Sequence, residues 1–272
     1  MSNLRQVIEE LRKSYNGTFR LRSIDVDTGK EIYKEAPKFL FRAENDHYES
    51  TPSSRVRFSG GKDLLKVTEF LDSVLRKSLH PMWSASLLQH YFFPTEIIDA
   101  TSDFNIVGAF AVSKNTSGKG RIYIYPLEKL AENCIVIDLS QIKFARRPQR
   151  QKAYGLFHRE YIDFQNPKIL DTTEVIEKEF EVDSVDIQLF ERDNYLYEQD
   201  KDQVLGLLNL LIDQVYNEKI CAETREWLET NIPWTEITVR RISNSDEVEP
   251  VLIDEPYISY EDWIQKKAAN KT

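Results

Sequence analysis

The segment Leu88-Gln89-His90-Tyr91-Phe92-Phe93-Pro94-Thr95-Glu96-Ile97-Ile98-Asp99-Ala100-Thr101-Ser102-Asp103 holds the end of a helix, a break, a short strand and the start of another helix. Trp83 to Phe92 reads as the first helix, stopped by Pro94, whose ring removes a donor and crowds the preceding turn. Glu96 to Ala100 is a short apolar strand. Ser102 or Asp103 then caps a second helix through Asn105–Ala111, because a short polar side chain satisfies the first free amides.

Outward from this centre, Leu64, Val67, Leu71, Val74, Leu75 and Leu79 recur at three- and four-residue steps, which predicts an amphipathic helix over 62–79. Lys38–Arg42, Arg121–Tyr125, Cys134–Leu139 and Val185–Phe190 read as strands, rich in bulky or alternating apolar residues. Residues 4–14 and 202–216 read as helices, and 223–230 as a short one. Phe19, Leu21, Ile24 and Val26 suggest an irregular strand ending at Asp27-Thr28-Gly29. The polar stretch 43–61, with Pro52 and Gly60-Gly61, reads as a loop. The fold class is α+β, with an N-terminal helix and strand over 1–35, a central domain over 36–215, and a C-terminal helix and acidic tail over 216–272.

Across 272 residues, 41% hydrophobic and 30% charged composition supplies both a core and a solvated surface. No run approaches the ~20 apolar residues that span a bilayer, and the polar start lacks a signal peptide's apolar stretch. The expected location is cytoplasmic, with no membrane partner. Cys134 and Cys221 support neither a disulfide framework nor a zinc site, and His47, His80 and His158 lack metal-ligand spacing. The net charge of −9 argues against a nonspecific nucleic-acid coat. Lys143, Arg146, Arg147, Arg150, Lys152 and Arg159, with Tyr154 and Phe157 among them, nevertheless form a basic stretch suited to phosphates or a nucleic-acid strand, or to a solvated loop. The tail beyond Ser243 carries Tyr257, Tyr260 and Trp263 as points of attachment.

Three segments in order, Phe41-Arg42-Ala43 with Pro52-Ser53 and Arg55, then Gln89-His90-Tyr91 through Pro94-Thr95 to Asp99 and Thr101 with Phe110-Ala111, then Arg147 to Gln151, resemble the FRG-domain family of bacterial proteins. The chain departs from that pattern at four positions. Ala43 and Phe92 replace glycines, Glu96 replaces Arg, and Ala100 replaces Trp. The layout resembles the wider ADP-ribosyltransferase arrangement, with Arg42 on a first strand, the Asp99–Ser102 strand end leading into a helix, and Gln151 later. The resemblance implies a split mixed sheet core with flanking helices and NAD as co-substrate, without a metal.

It further implies Arg42, Thr101, Gln151 and Asp99 as catalytic residues, with Asp99 or Glu160 as general base. Arg42 would clamp the pyrophosphate through its planar fork. His90, Tyr91, Thr101, Ser102 and Tyr123 would complete the NAD site, the rings stacking on nicotinamide and the helix N-terminus aiding. Arg147, Arg150 and Tyr154 would meet the acceptor, a nucleic acid (RNA or DNA) or a protein. A toxin or anti-phage effector role follows from the same resemblance. The alternatives are a catalytically degenerate nucleotide- or nucleic-acid-binding module, and an interaction protein held by an antitoxin or chaperone.

Overall fold

The computed structural model describes residues 2–24, 30–46, 62–76, 79, 81–142, 144–158, 175–197, 202–216 and 259–269. Helix α1 (Leu4–Ser14) leads into a hairpin of β1 (Thr18–Ile24) and β2 (Glu31–Pro37), followed by β3 (Phe39–Glu44). Helices α2 (Lys62–Leu75) and α3 (Pro81–His90) precede β4 (Ile98–Thr101), α4 (Phe104–Val112), β5 (Lys119–Pro126), α5 (Leu127–Asn133) and β6 (Cys134–Asp138). After a short 3-10 turn come α6 (Arg146–Arg150), β7 (Ala153–His158), β8 (Ile176–Glu181), α7 (Ser184–Phe190), α8 (Asp193–Leu196), α9 (Gln203–Tyr216) and α10 (Tyr260–Ala269).

Six strands form one sheet in the order β6-β7-β4-β3-β5-β8, and every ladder in it is antiparallel. The chain is therefore α+β. The expected mixed sheet is corrected, because side-chain alternation is the same whichever way a neighbour runs. β3 meets β5 over six register pairs but meets β4 at Phe41↔Thr101 alone. The sheet is thus two three-stranded halves joined at a narrow seam.

Alternation along the strands sends side chains to two layers. Leu40 packs with Tyr123, Tyr125, Ile98, Ala100, Tyr154 and Leu156 on one face, where Ala36 of the hairpin covers them. On the other face Phe41 and Ile124 lie under α1, α4 and α7, in a cluster that holds Leu4, Ile8, Val107 and Phe190. Beyond the seam, the same side of the sheet carries α2, α3 and α9 around Leu71, Leu87 and Leu208. Helix α1 belongs to the same core as the central strands, and β2 runs across residues 35–36.

Local differences from the sequence reading have identifiable causes. Val185–Phe190 is a helix, because Asp183 and Asp186 form a capping box that ties down its first turn. The apolar–polar alternation of Val185, Ile187 and Leu189 imitates a strand, yet these side chains are exposed while Asp186 and Phe190 are buried. The basic stretch holds α6 and β7 rather than a loop. The polar 43–61 stretch starts inside β3, and 47–61 lie outside the described residues, as does the helix expected at 223–230. No helix among the described residues is long and apolar enough to cross a membrane.

Candidate functional site

Arg42 lies on β3 opposite Tyr123 of β5, on the face that carries Leu40 and Glu44. With the β3–β4 ladder reduced to one pair, its guanidinium reaches the seam and Nη1 donates to the Asp99 carbonyl at 3.1 Å. Its Nε stands 3.5 Å from a Glu44 carboxylate oxygen. Glu44, two residues along the same strand and hence on the same face, was legible from strand period but carries no motif signal.

Asp99 joins this contact to a second group on the opposite face. Its carboxylate oxygen Oδ1 is 3.5 Å from His90 Nε2, longer than a made hydrogen bond. His90 Nδ1 is 2.8 Å from Gln151 Oε1. Thr101 Oγ1 donates to the Gln151 carbonyl at 2.7 Å and accepts from the Asp103 amide at 3.2 Å. Arg42, Asp99, His90, Gln151 and Thr101 thus form one chain of contacts across the sheet, with Asp99 as the bridge. Arg42 Nε, His90 Nε2 and Asp99 Oδ1 are buried atoms with no hydrogen-bond partner among the described residues.

The helix α3 terminus and the loop after it set this geometry. Thr95 Oγ1 donates to Gln89 Oε1 at 2.9 Å and accepts from the Ile97 amide, fixing the turn around Pro94. Tyr91 donates its hydroxyl to both oxygens of Asp202 at 2.8 Å, which docks α9. Burial first, then the Asp202 charge, raises the Tyr91 hydroxyl well above its usual value, with Arg147 pulling the other way. Arg147 donates to the His90 carbonyl and lies over the rings of Tyr91, Phe92 and Tyr197 at 4.6, 5.3 and 5.6 Å.

Several expected ligand contacts are already occupied. Tyr91 and Tyr123 are fully enclosed at 0% and 1% exposure, so neither offers a free ring face. Thr101 and Gln151 are buried and engaged with each other. Arg147, Arg150 and Tyr154, expected to meet the acceptor, are also buried, and the two guanidiniums lie over the protein's own aromatics. Burial raises the Tyr154 hydroxyl, Asp138 adds to this, and a hydrogen bond with Ser102 opposes both. That contact places Ser102 beside Tyr154, apart from Thr101.

The α4 N-terminus is closed in the same way. Asp103 accepts from the Asn105 and Ile106 amides at 2.8 and 3.3 Å and pairs with Lys152 at 2.5 Å. The amides expected to aid a phosphate already hold a carboxylate. A surface groove of about 860 Å³, lined by Arg5, Glu9, Arg12, Asn105, Leu189 and Arg192, lies away from Arg42 and Asp99. No grouping of metal-ligating side chains occurs among the described residues. No protein-family model, curated protein or solved structure matches the chain.

Proposed function

We propose that the chain binds NAD at the seam and transfers its ADP-ribose, with Arg42 and Asp99 as the residues that meet the reactants. The observation that carries this reading is the seam itself. Arg42 on one face of it and Asp99 on the other retain 16% and 32% side-chain exposure, and one buried polar atom each of Arg42, His90 and Asp99 makes no hydrogen bond. Buried polar atoms normally have partners, so these three atoms support a polar site at the seam.

Arg42 contributes the remaining donors of its fork, suited to a pyrophosphate oxygen. Asp99 contributes the half-exposed carboxylate that an oxocarbenium-like reaction needs for charge balance and proton removal. Thr101, Gln151 and His90 position these two rather than touch the ligand. The acceptor, nucleic acid or protein, comes from outside the buried Arg147–Tyr154 region.

Labelled NAD incubated with the protein and with RNA, DNA and protein fractions tests this. Label on one fraction is expected. Arg42→Ala should lower the rate by roughly 100-fold or more, the scale of losing one preorganised charge-stabilising donor. Absence of NAD binding by calorimetry defeats the proposal. Binding without transfer selects the second reading, a nucleotide-binding module without turnover, which the engaged Thr101 and Gln151 and the Asp103-filled helix end favour.

A further inference from the structure

The contact between His90 and Asp99 has an unusual polarity. Gln151 Oε1 faces His90 Nδ1 at 2.8 Å, and an oxygen at that distance calls for a proton on Nδ1. In the tautomer with its only proton on Nδ1, the ring turns the lone pair of Nε2 toward Asp99 Oδ1, 3.5 Å away. In that tautomer two acceptor atoms face each other, both buried and neither hydrogen-bonded. One proton added between them converts this repulsion into a charge-assisted hydrogen bond.

We infer that Asp99, His90 and Gln151 form a proton-receiving unit, in which half-exposed Asp99 takes a proton from the acceptor and shares it with buried His90. The inference rests on the transferase reading above. Asp99, with its side chain 32% exposed, is the catalytic residue; His90, at 3%, lies behind it at 3.5 Å and is a positioning residue. Gln151 is a second positioning residue, because its amide oxygen fixes which ring nitrogen stays bare. Arg147 donates to the His90 carbonyl and Arg42 to the Asp99 carbonyl, so each partner's backbone is held by a cation from a different element.

The bond from ribose C1′ to the nicotinamide nitrogen breaks, and its electron pair neutralises the pyridinium, which leaves as nicotinamide. A lone pair of the acceptor's O–H or N–H group forms the new bond to C1′. The proton of that group passes to an Asp99 oxygen and is shared with His90 Nε2, leaving an imidazolium whose Nδ1–H remains on Gln151.

Two measurements on the full chain separate this inference from the reading beneath it. The first is nitrogen NMR of histidine-labelled protein, with His90 identified among the four histidines by its loss in His90→Asn. The resting ring is expected to carry its proton on Nδ1 with Nε2 bare, and Gln151→Met is expected to mix the tautomers. A proton on Nε2 in the resting protein, alone or together with Nδ1, overturns the inference, since the unit then has no vacancy.

The second measurement follows NAD affinity and transfer rate together. His90→Asn should leave NAD affinity nearly unchanged and slow transfer by about 100-fold, the scale of general acid–base catalysis. In His90→Gly, added imidazole should restore part of the rate, which a purely structural role would not allow. Where His90 variants fail to fold, Asp99→Asn supplies the same split between affinity and rate. Unchanged transfer in a folded His90 variant overturns the unit and leaves the transferase reading standing, whereas unchanged transfer in Asp99→Asn overturns both. A wild-type protein that shows the expected ring signature but binds no NAD defeats the transferase reading, and the catalytic use of the unit with it.

Discussion

Phe92 adopts a φ of 71°, in the left-handed region that a side chain with Cβ enters at a cost of about 1–2 kcal/mol. The position follows the last turn of α3, where the resemblance places a glycine. The Phe92 ring lies over Arg147 and beside Tyr197, and these contacts offset the backbone strain. Replacing Phe92 by Gly should therefore leave stability within about 1 kcal/mol of wild type, as backbone relief balances the lost ring. Phe92→Ala keeps the strain and loses the ring, and should be the less stable of the two in urea denaturation. Equal loss in both would show that the ring alone matters. The Gln89-His90-Tyr91 order was legible in the sequence. Their partners Thr95, Asp99 with Gln151, and Asp202 were not, because Gln151 and Asp202 lie 61 and 111 positions away and meet this segment only through packing.

At the scale of the element, α4 is held at its start by Asp103. Burial acts to raise this carboxyl, but Lys152 and the Asn105 and Ile106 amides outweigh it and hold it below the usual 3.8. A depressed value in the folded state means stability that is present above the ordinary carboxylate range and lost as pH falls through the folded value. Asp103→Asn keeps a capping side chain and removes the charge. It should cost roughly 0.5–1 kcal/mol at neutral pH, with the difference from wild type vanishing as the solution becomes acidic. Denaturation curves at several pH values check this; a difference that grows on acidification contradicts the assignment. The sequence offered Ser102 or Asp103 as the cap. The choice of Asp103 depends on Lys152, forty-nine positions away, which no local pattern reports. Likewise, the α7 segment alternates like a strand, and only its capping box reveals the helix.

The whole molecule is organised by its sheet, and α1 is part of that organisation rather than an appended arm. Leu4, Val7, Ile8 and Leu11 are 0–3% exposed against Phe41, Ile122 and Phe180, and Arg5 joins Asp183 and Asp186. Leu11→Ala should lower stability by about 2–5 kcal/mol, the usual cost of truncating a buried Leu. A loss below about 1 kcal/mol would place α1 outside the core. At the other end, Tyr260 of α10 packs on Tyr195 and under Arg192 at 4.2 Å, so this tail aromatic does attach.

The sequence by itself determined the α+β class, the positions of β3, β4, β5, α2 and α9, and the candidates Arg42, His90, Asp99 and Gln151. Those follow from apolar period, chain breaks and residue chemistry, which are local. Only the tertiary structure decided that the ladders are antiparallel and that the sheet narrows to Phe41 and Thr101 at one seam. It alone buried Arg147 and Arg150 among aromatics and turned Asp99 toward both Arg42 and His90. Pairing direction, burial of a charge and the meeting of residues fifty positions apart depend on packing between elements, for which the chain carries no local signal.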